Sequence, residues 1–362
     1  MSSHRIHQFI AKPKMSKTQK AVFLVGPGYI GQCVIDRLLA EGYDVTTLVR
    51  REAAAVEFAR KGVKTILGDL ADGEVITKQV RASDIVIHTA TADDLSSVEA
   101  IIEGIRARAA QKKHTIYIHT SGASFLCDDS KGAFKSDTIY SDKRPEQLDA
   151  RPDSASHRGI DLAIIKARKD LGTQAKLFII LPPLIYGKEP QYDRLSIQIP
   201  TMCRFAIKHG YAGYIGGGKG TWSLVHVSDL ARGYVTILRW LEDSPASTAL
   251  EHPYFFCENG QEISWADAAA IIGQSLHSAG KVSDPVPREI PEEQWVDCFG
   301  EYSVVVIGAN ARNRAERIRE LGWSPEHTSV RDAFEKEELP ALLRETGSFA
   351  GYGRAAASGA AN

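Results

Sequence analysis

The residues with the plainest chemical signature are three glycines between a short apolar segment and a stretch with helical periodicity. Residues 26–31 read Gly-Pro-Gly-Tyr-Ile-Gly, a G-x-G-x-x-G pattern. In this pattern the first glycine allows a tight turn, the second lets the backbone approach a pyrophosphate, and the third lets the helix pack on the strand. The helix N-terminus adds N–H groups and a positive dipole end. The motif therefore predicts a dinucleotide site formed by Gly26, Gly28, Tyr29, Ile30 and Gly31. The alternative is a glycine turn that serves packing alone.

The residues after the second predicted strand favour NADP over NAD. That strand, residues 44–49, is followed by Arg50 and Arg51, where an Asp or Glu usually bonds the adenosine ribose of NAD. No carboxylate there would repel a 2′-phosphate, and each guanidinium could add a charge-assisted hydrogen bond worth about 1.5–3 kcal/mol. We therefore predict that both arginines bind NADP. The alternatives are NAD as the cofactor and two solvated surface arginines.

Other motifs that carry chemistry are incomplete. A second glycine cluster, residues 216–220, has the look of a phosphate loop, but Gly220 directly follows Lys219, where a Walker A motif needs Ser or Thr to hold Mg²⁺. The eleven histidines form no H-E-x-x-H pattern, and no serine lies in G-x-S-x-G. The sequence thus argues against an NTPase, a zinc protease and an α/β-hydrolase, and it predicts no metal site.

Short apolar strands alternate with helical segments through the first half of the chain. Because parallel strands need a crossover between them, this alternation predicts βαβ units and an α/β fold with a doubly wound parallel (Rossmann) sheet. The polar residues 127–153 are predicted to form a long loop beside the ligand site, followed by a helix from about residue 154 to 172. Later periodicity is irregular and predicts a smaller capping lobe with helices near 202–208, 228–241, 265–278 and 310–321.

These patterns divide the chain into units. The predicted units are a flexible extension at 1–19, a Rossmann domain at 20–187, a substrate lobe at 188–346 whose segment 222–258 returns to the sheet, and a disordered tail at 347–362.

Composition limits the classes of protein that fit. The 362 residues are 43% hydrophobic and 25% charged with a net charge of -1, so neither a disordered chain nor a nucleic-acid binder is indicated. Apolar runs are too short for a membrane span. Five dispersed cysteines predict a reducing compartment without disulfides or zinc knuckles. We expect a cytoplasmic enzyme with a small-molecule substrate. A mitochondrial presequence in the basic N-terminal residues is the lesser alternative, and a homodimer is compatible with the sequence.

Five more motifs follow the glycine turn. They are G-D-L at 68–70, V-I-H-T-A at 86–90, T-S-G at 120–122, P-P-L-I-Y-G at 182–187 and V-H-V-S-D-L-A at 225–231. Together, over roughly residues 20 to 325, the chain resembles the extended or atypical branch of the short-chain dehydrogenase/reductase family, the NAD-dependent epimerase/dehydratase-like group. The resemblance implies a bound nicotinamide dinucleotide and a substrate cleft under the C-terminal lobe. It also implies cofactor contacts from Asp69, Leu70, Thr89, Ala90 and Pro183.

The resemblance places Ser121 at the family's catalytic serine, but the family's Y-x-x-x-K pair is replaced. Counting back from the strand end at 182–183 puts that pair at His157 and Asp161. On one helix these two side chains would share an arc, and Asp161 would stabilise a protonated His157 able to donate a proton in place of the tyrosine. The alternative is a histidine and an aspartate satisfied by other partners. Tyr140, with Lys143 three residues later, is another candidate for the family's tyrosine and lysine. It lies too far before the strand end at 182–183 to be on the helix that carries this pair in the family.

Two functions therefore stay open. The first is an NADP-dependent oxidoreductase acting on a carbonyl, hydroxyl or imine of a small metabolite, with Ser121 orienting the carbonyl and His157 donating the proton. The second is a dinucleotide-binding protein that performs a non-redox isomerisation or cyclisation, or acts as a redox-sensing regulator.

Overall fold

Alternating strands and helices make up most of the chain in the computed structural model, which describes residues 19–347 and 349–352. In chain order the strands are β1 (Ala21–Val25), β2 (Asp44–Val49), β3 (Lys64–Leu67), β4 (Ile85–His88), β5 (Thr115–Thr120), β6 (Tyr140–Ser141), β7 (Ala175–Leu181), β8 (Leu184–Tyr186), β9 (Gly213–Tyr214), β10 (Thr221–His226), β11 (Tyr254–Phe256), β12 (Glu262–Ser264), β13 (Arg288–Glu289) and β14 (Asn313–Arg314). The helices are α1 (Tyr29–Ala40), α2 (Glu52–Arg60), α3 (Gly73–Arg81), α4 (Leu95–Ala110), α5 (Pro145–Asp149), α6 (Arg158–Leu171), α7 (Gln198–His209), α8 (Val227–Asp243), α9 (Trp265–Ser278), α10 (Ser303–Val306), α11 (Glu316–Glu320), α12 (Val330–Ala333) and α13 (Leu339–Leu342).

The central sheet has seven strands in the order β11-β7-β5-β4-β1-β2-β3, and every neighbouring pair is parallel. The chain winds outward from β1 through β2 to β3, and then returns to the other side of β1 with β4. In open parallel sheets, ligands bind at this reversal, beyond the carboxyl ends of the strands. The fold confirms the predicted doubly wound α/β architecture.

The strands form because their apolar residues are covered on both faces. Val22, Phe23 and Leu24 of β1 are completely buried, as expected for a parallel strand between two helix layers. Helix α1 packs on α8, while α4 packs on α3 and α6. These helices hold the strand ends in place, so the residues that follow each strand meet at one edge of the sheet.

The C-terminal half adds a smaller layer and also extends the main sheet. Strands β8 and β10 are parallel, and β12 is antiparallel to β10. Strand β11 returns to the main sheet beside β7. The parallel pair β6–β14 joins the segment that follows β5 to the C-terminal half.

Three local predictions need correction. The predicted loop at 127–153 contains β6 and α5. The helix expected from about residue 154 begins at Arg158, because His157 adopts a left-handed conformation with a φ of 65°. In the predicted helix at 310–321, only Glu316–Glu320 is helical, and Asn313–Arg314 is a strand.

The predicted disordered tail is partly wrong. Residues 349–352 pack on the C-terminal half, where the backbone N–H of Tyr352 donates to the Cys298 carbonyl at 2.7 Å and its ring stacks on Phe299. The rest of that tail beyond residue 352, and the predicted extension up to residue 18, lie outside the described residues. No helix in the described ranges is long and apolar enough to cross a membrane.

Candidate functional site

The glycine turn after β1 is tightly packed at its first and third glycines. Gly26 has a φ of 93°, and a Cβ there would lie 2.3 Å from the Ala90 backbone. A Cβ on Gly31 would lie 2.1 Å from the Gly26 carbonyl oxygen. The Thr89 hydroxyl donates to that same oxygen at 2.7 Å. Thr89 and Ala90, which follow β4, therefore hold the turn in place, and no side chain fits at Gly26 or Gly31.

The second glycine opens onto free space. The nearest atom to a Cβ on Gly28 is Nη1 of Arg194, at 4.0 Å. This is the geometry a pyrophosphate needs above the start of α1, so the residues present fit a dinucleotide. Tyr29 offers only its backbone there, because its hydroxyl donates to the Gly187 carbonyl at 2.6 Å. Ile30 is half-buried against the core.

The other predicted cofactor residues lie at the same edge of the sheet. Arg50 and Arg51 follow β2, and their side chains are exposed. Asp69 and Leu70 follow the neighbouring strand β3, since Val49 pairs with Leu67. The Asp69 carboxylate accepts the N–H of Ala71 at 2.8 Å and remains exposed. These four residues therefore lie beyond the carboxyl ends of two adjacent strands, the edge at which dinucleotides bind in open parallel sheets.

Pro183 is buried between β7 and β8. The preceding Pro182 carbonyl accepts the N–H of Ala123 at 2.9 Å. The motif around Pro183 thereby supports the segment after β5, which carries Ser121.

The structure brings Ser121 and Asp161 together. The Ser121 hydroxyl donates to Oδ2 of Asp161 at 3.0 Å. Asp161 is completely buried, and its Oδ1 has no partner in the described part of the chain. Burial raises the pKa of this carboxyl to about 7. The carboxyl group therefore changes protonation near neutral pH.

His157 does not pair with Asp161, which corrects the predicted arrangement. His157 precedes α6 instead of lying within it, so the two side chains do not share a helical arc. Its Nδ1 lies 2.7 Å from Oδ1 of Asp93, and its Nε2 lies 2.6 Å from Oγ of Ser124. The carboxylate beside the imidazole is Asp93, which precedes α4.

The three residues Ser124, His157 and Asp93, called here the proton chain, link a hydroxyl to a carboxylate through an imidazole. A carboxylate at Nδ1 fixes the orientation of the imidazole ring. The proton chain can transfer a proton from His157 through the Ser124 hydroxyl to a bound molecule, or accept a proton from that molecule by the reverse route. A Cβ on Gly122 would lie 3.3 Å from His157 Nε2, so the backbone packs closely beside this chain.

Sequence reasoning missed Ser124 and Asp93. Asp93 and His157 are 64 residues apart, and Ser124 and His157 are 33 apart. The available signal was their position: both follow neighbouring parallel strands, β4 and β5, whose carboxyl ends meet at one edge. Tyr140 and Lys143, the other candidates for the tyrosine and lysine of the family, bind different residues. The Tyr140 hydroxyl accepts a hydrogen bond from Arg151 at 3.2 Å, and Lys143 forms an ion pair with Glu320.

A buried histidine pair lies in the strands that carry the site. Nδ1 of His88 is 3.1 Å from Nδ1 of His119, and the Tyr117 hydroxyl is 3.2 Å from the latter atom. Burial lowers the pKa of His88 to about 4 and that of His119 well below its ordinary value. Both imidazoles are therefore neutral at pH 7, so they add no positive charge to the strands that precede Asp93 and Ser124.

A polar cavity of about 220 Å³ lies between the segment after Ser124 and the C-terminal half. Within it, Arg151 donates to the carbonyls of Phe125 and Cys127 and makes no ion pair with a described residue. The cavity is of a size for a small polar molecule. Its lining is Leu126, Asp128, Ser136, Thr138, Tyr140, Arg151, Asn310 and Arg312.

The second glycine cluster serves packing. A Cβ on Gly220 would lie 2.0 Å from the Gly308 carbonyl oxygen. The first N–H groups of α9, those of Trp265 and Ala266, donate to the carbonyls of Gly220 and Gly218. With these donors satisfied, they do not form a phosphate cradle.

One acidic cluster has the composition of a metal site but already contains a cation. Asp229, Glu326 and His327 place their ligand atoms within 4.8 Å of one another. Arg232 lies 2.6 Å from Asp229 and 2.7 Å from Glu326, so its guanidinium supplies the positive charge.

The glycine turn, the reversal of strand order between β1 and β4, and the proton chain define a dinucleotide-dependent enzyme of the Rossmann class. The chain matches the NAD dependent epimerase/dehydratase family over residues 22–250, and it belongs to this family. Both the resemblance seen in the sequence and the expectation of an NAD(P)-dependent enzyme are thus confirmed.

Proteins similar to this chain include two that align over most of their length. The oxidase ucsJ of an Acremonium species is 27% identical over 331 residues, covering 84% of this chain and 93% of the oxidase. The 3-diazoavenalumate denitrifying reductase of a Streptomyces species is 26% identical over 326 residues, covering 86% and 97%. The crystal structure of dTDP-glucose 4,6-dehydratase from Bacillus anthracis with NAD shares the fold, with a TM-score of 0.61 and 12% identity over 90% of this chain and 96% of that one.

Proposed function

We propose that the protein is an NADP-dependent oxidoreductase that acts on a carbonyl, hydroxyl or imine group of a small metabolite. The proton chain carries this proposal, because it supplies a proton donor at the edge of the sheet where the dinucleotide binds. Relatives that are named as an oxidase and a reductase support redox chemistry. The cavity beyond Ser124 is the candidate substrate pocket.

Arg50 and Arg51 support NADP as the cofactor. When bound, its nicotinamide ring supplies or accepts the hydride. Gly28 and the start of α1 would hold the pyrophosphate, and the two arginines would pair with the 2′-phosphate. We expect tighter binding of NADP(H) than NAD(H) in calorimetric titrations, and a shift toward NAD in Arg50→Glu. Equal affinities, or a preference for NAD, would contradict this cofactor assignment.

The proton chain handles the proton that accompanies the hydride. During reduction, a protonated His157 makes hydrogen bonds from Nδ1 to Asp93 and from Nε2 to Ser124. The Ser124 hydroxyl transfers its proton to the substrate oxygen or nitrogen and takes the Nε2 proton of His157 in return, while the Nδ1 proton stays on His157. His157 is left neutral and regains its proton from solvent. During oxidation each transfer runs in reverse, with Ser124 accepting the substrate's proton.

A panel of carbonyl and imine compounds with NADPH tests the redox assignment. We expect one NADPH consumed per product formed. For a compound that is turned over, His157→Phe should lower kcat on the order of 10²–10⁴-fold, while the exposed His277→Phe serves as the matched control. Product formed without net NADPH consumption would instead identify a non-redox isomerase or cyclase.

A further inference from the structure

A segment between β8 and α7 is held against α1 by hydrogen bonds. The Tyr192 hydroxyl donates to Asp36 on α1 at 2.7 Å and accepts from Lys61, just after α2, at 2.7 Å. Gln191 donates to the same Asp36 carboxylate at 3.0 Å. Residues 188–195, called here the strap, thereby bridge two helices that flank the dinucleotide crevice.

The strap brings a third arginine to the glycine turn. Among the described residues outside the turn and α1 themselves, Nη1 of Arg194 is the one atom within 4 Å of a Cβ placed on Gly28. The side chains of Arg194 and Arg51 make no hydrogen bond or ion pair with any described residue. Partial desolvation and the nearby positive charges of Arg51 and Arg50 lower the pKa of Arg194, against a smaller opposing effect of Glu57.

Guanidinium groups repel one another, so the approach of Arg194 and Arg51 beside the open space at Gly28 is stabilised when an anion binds between them. The N-terminus of α1 adds further positive potential at the same place. A pyrophosphate satisfies both the charge and the geometry, because Arg can bind two phosphate oxygens through parallel N–H groups.

We propose that the strap closes over the bound dinucleotide and that Arg194 binds its pyrophosphate. The inference rests on the dinucleotide binding in the proposed function, and not on the preference for NADP or on redox chemistry. Arg194 and Arg50 would then have separate tasks: the first holds any dinucleotide, and the second distinguishes NADP from NAD.

Calorimetric titration of four probes separates these tasks. Arg194→Gln should weaken NADP, NAD and ADP, which all contain a pyrophosphate, on the order of 10- to 100-fold. Adenosine 2′-monophosphate, which lacks it, should bind within about twofold of the wild type. Arg81→Gln is the matched control, since Arg81 is an exposed arginine at the end of α3, ahead of β4 and at the opposite edge of the sheet.

Two results would overturn the inference. Unchanged affinities for all four probes would remove Arg194 from the site. Loss confined to NADP and adenosine 2′-monophosphate would make Arg194 a 2′-phosphate ligand instead. Because these titrations need no substrate, they are independent of whether the redox assignment holds.

The anchor of the strap gives a second test. Tyr192→Phe keeps the ring but removes the bonds to Asp36 and Lys61, so dissociation of NADP and of NAD in stopped-flow measurements should be several-fold faster. Dissociation rates equal to those of the wild type would show that the strap does not retain the dinucleotide.

Discussion

At the residue scale, Asp161 is a buried acid whose protonation decides what Ser121 can do. An ionised Asp161 accepts the only hydroxyl proton that Ser121 has. A neutral Asp161 can donate to Ser121 instead, which frees that hydroxyl proton for a substrate carbonyl. Since the pKa of Asp161 is raised to about 7, the neutral form predominates below that pH.

This exchange predicts a pH dependence of turnover. In the wild type, kcat should fall as pH rises through about 7, because ionisation of Asp161 withdraws the Ser121 proton. Asp161→Asn keeps a donor toward Ser121 at every pH, so this limb of the kcat profile should flatten. An unchanged limb in the variant would show that another group controls it.

The sequence identifies some site residues but not their partners. Ser121 and the positions of His157 and Asp161 were predicted from the family resemblance and from the spacing of its motifs. The pairing of His157 with Asp93 does not, because it depends on a left-handed residue just before α6 and on two strand ends meeting in space. A helical count assumes regular geometry and therefore assigns the wrong carboxylate.

At the element scale, the three glycines of the turn have two distinct physical roles. Gly28→Val should abolish dinucleotide binding with little loss of folding, because its side chain would fill the space left for the pyrophosphate. Gly31→Val should instead lower the melting temperature, because its Cβ would clash with the turn's own backbone. Calorimetry and circular dichroism on both variants provide the measurement. Retained binding in Gly28→Val would mean that this glycine serves packing only.

The elements of the main sheet were predictable where local pattern is strong. Strands such as β1 are apolar throughout because both of their faces are covered. Strands β6 and β14 were missed, since each has two residues and they pair across more than half of the described chain. A strand of two residues is too short to show the alternation of apolar and polar residues that identifies a strand in a sequence.

At the scale of the whole molecule, the C-terminal segment closes onto the Rossmann half through a buried acid. Glu338 ends a short π-helix and accepts the N–H of Gly187 at 3.2 Å and the Ser196 hydroxyl at 3.4 Å. Burial, reinforced by Glu337, raises the pKa of Glu338 to about 8. Its ionisation is therefore opposed by folding.

The contribution of Glu338 to stability should accordingly decrease with rising pH. A carboxyl whose pKa is higher in the folded state contributes its full stability below the unfolded pKa, about 4.3, and that stability is lost as pH rises through about 8. Glu338→Gln cannot ionise. The melting temperature of the variant relative to the wild type should therefore increase between pH 5 and pH 9. Parallel curves over that range would contradict the assignment.

The proton chain is the central claim, and single-turnover reduction by NADPH-loaded enzyme tests it most directly. Asp93→Asn and His157→Phe should each slow this step on the order of 10²–10⁴-fold with NADPH affinity unchanged. The double variant should be no slower than the poorer single variant, because residues that act as one unit are not additive. Near-normal turnover in Asp93→Asn, or losses that multiply in the double variant, would contradict the account.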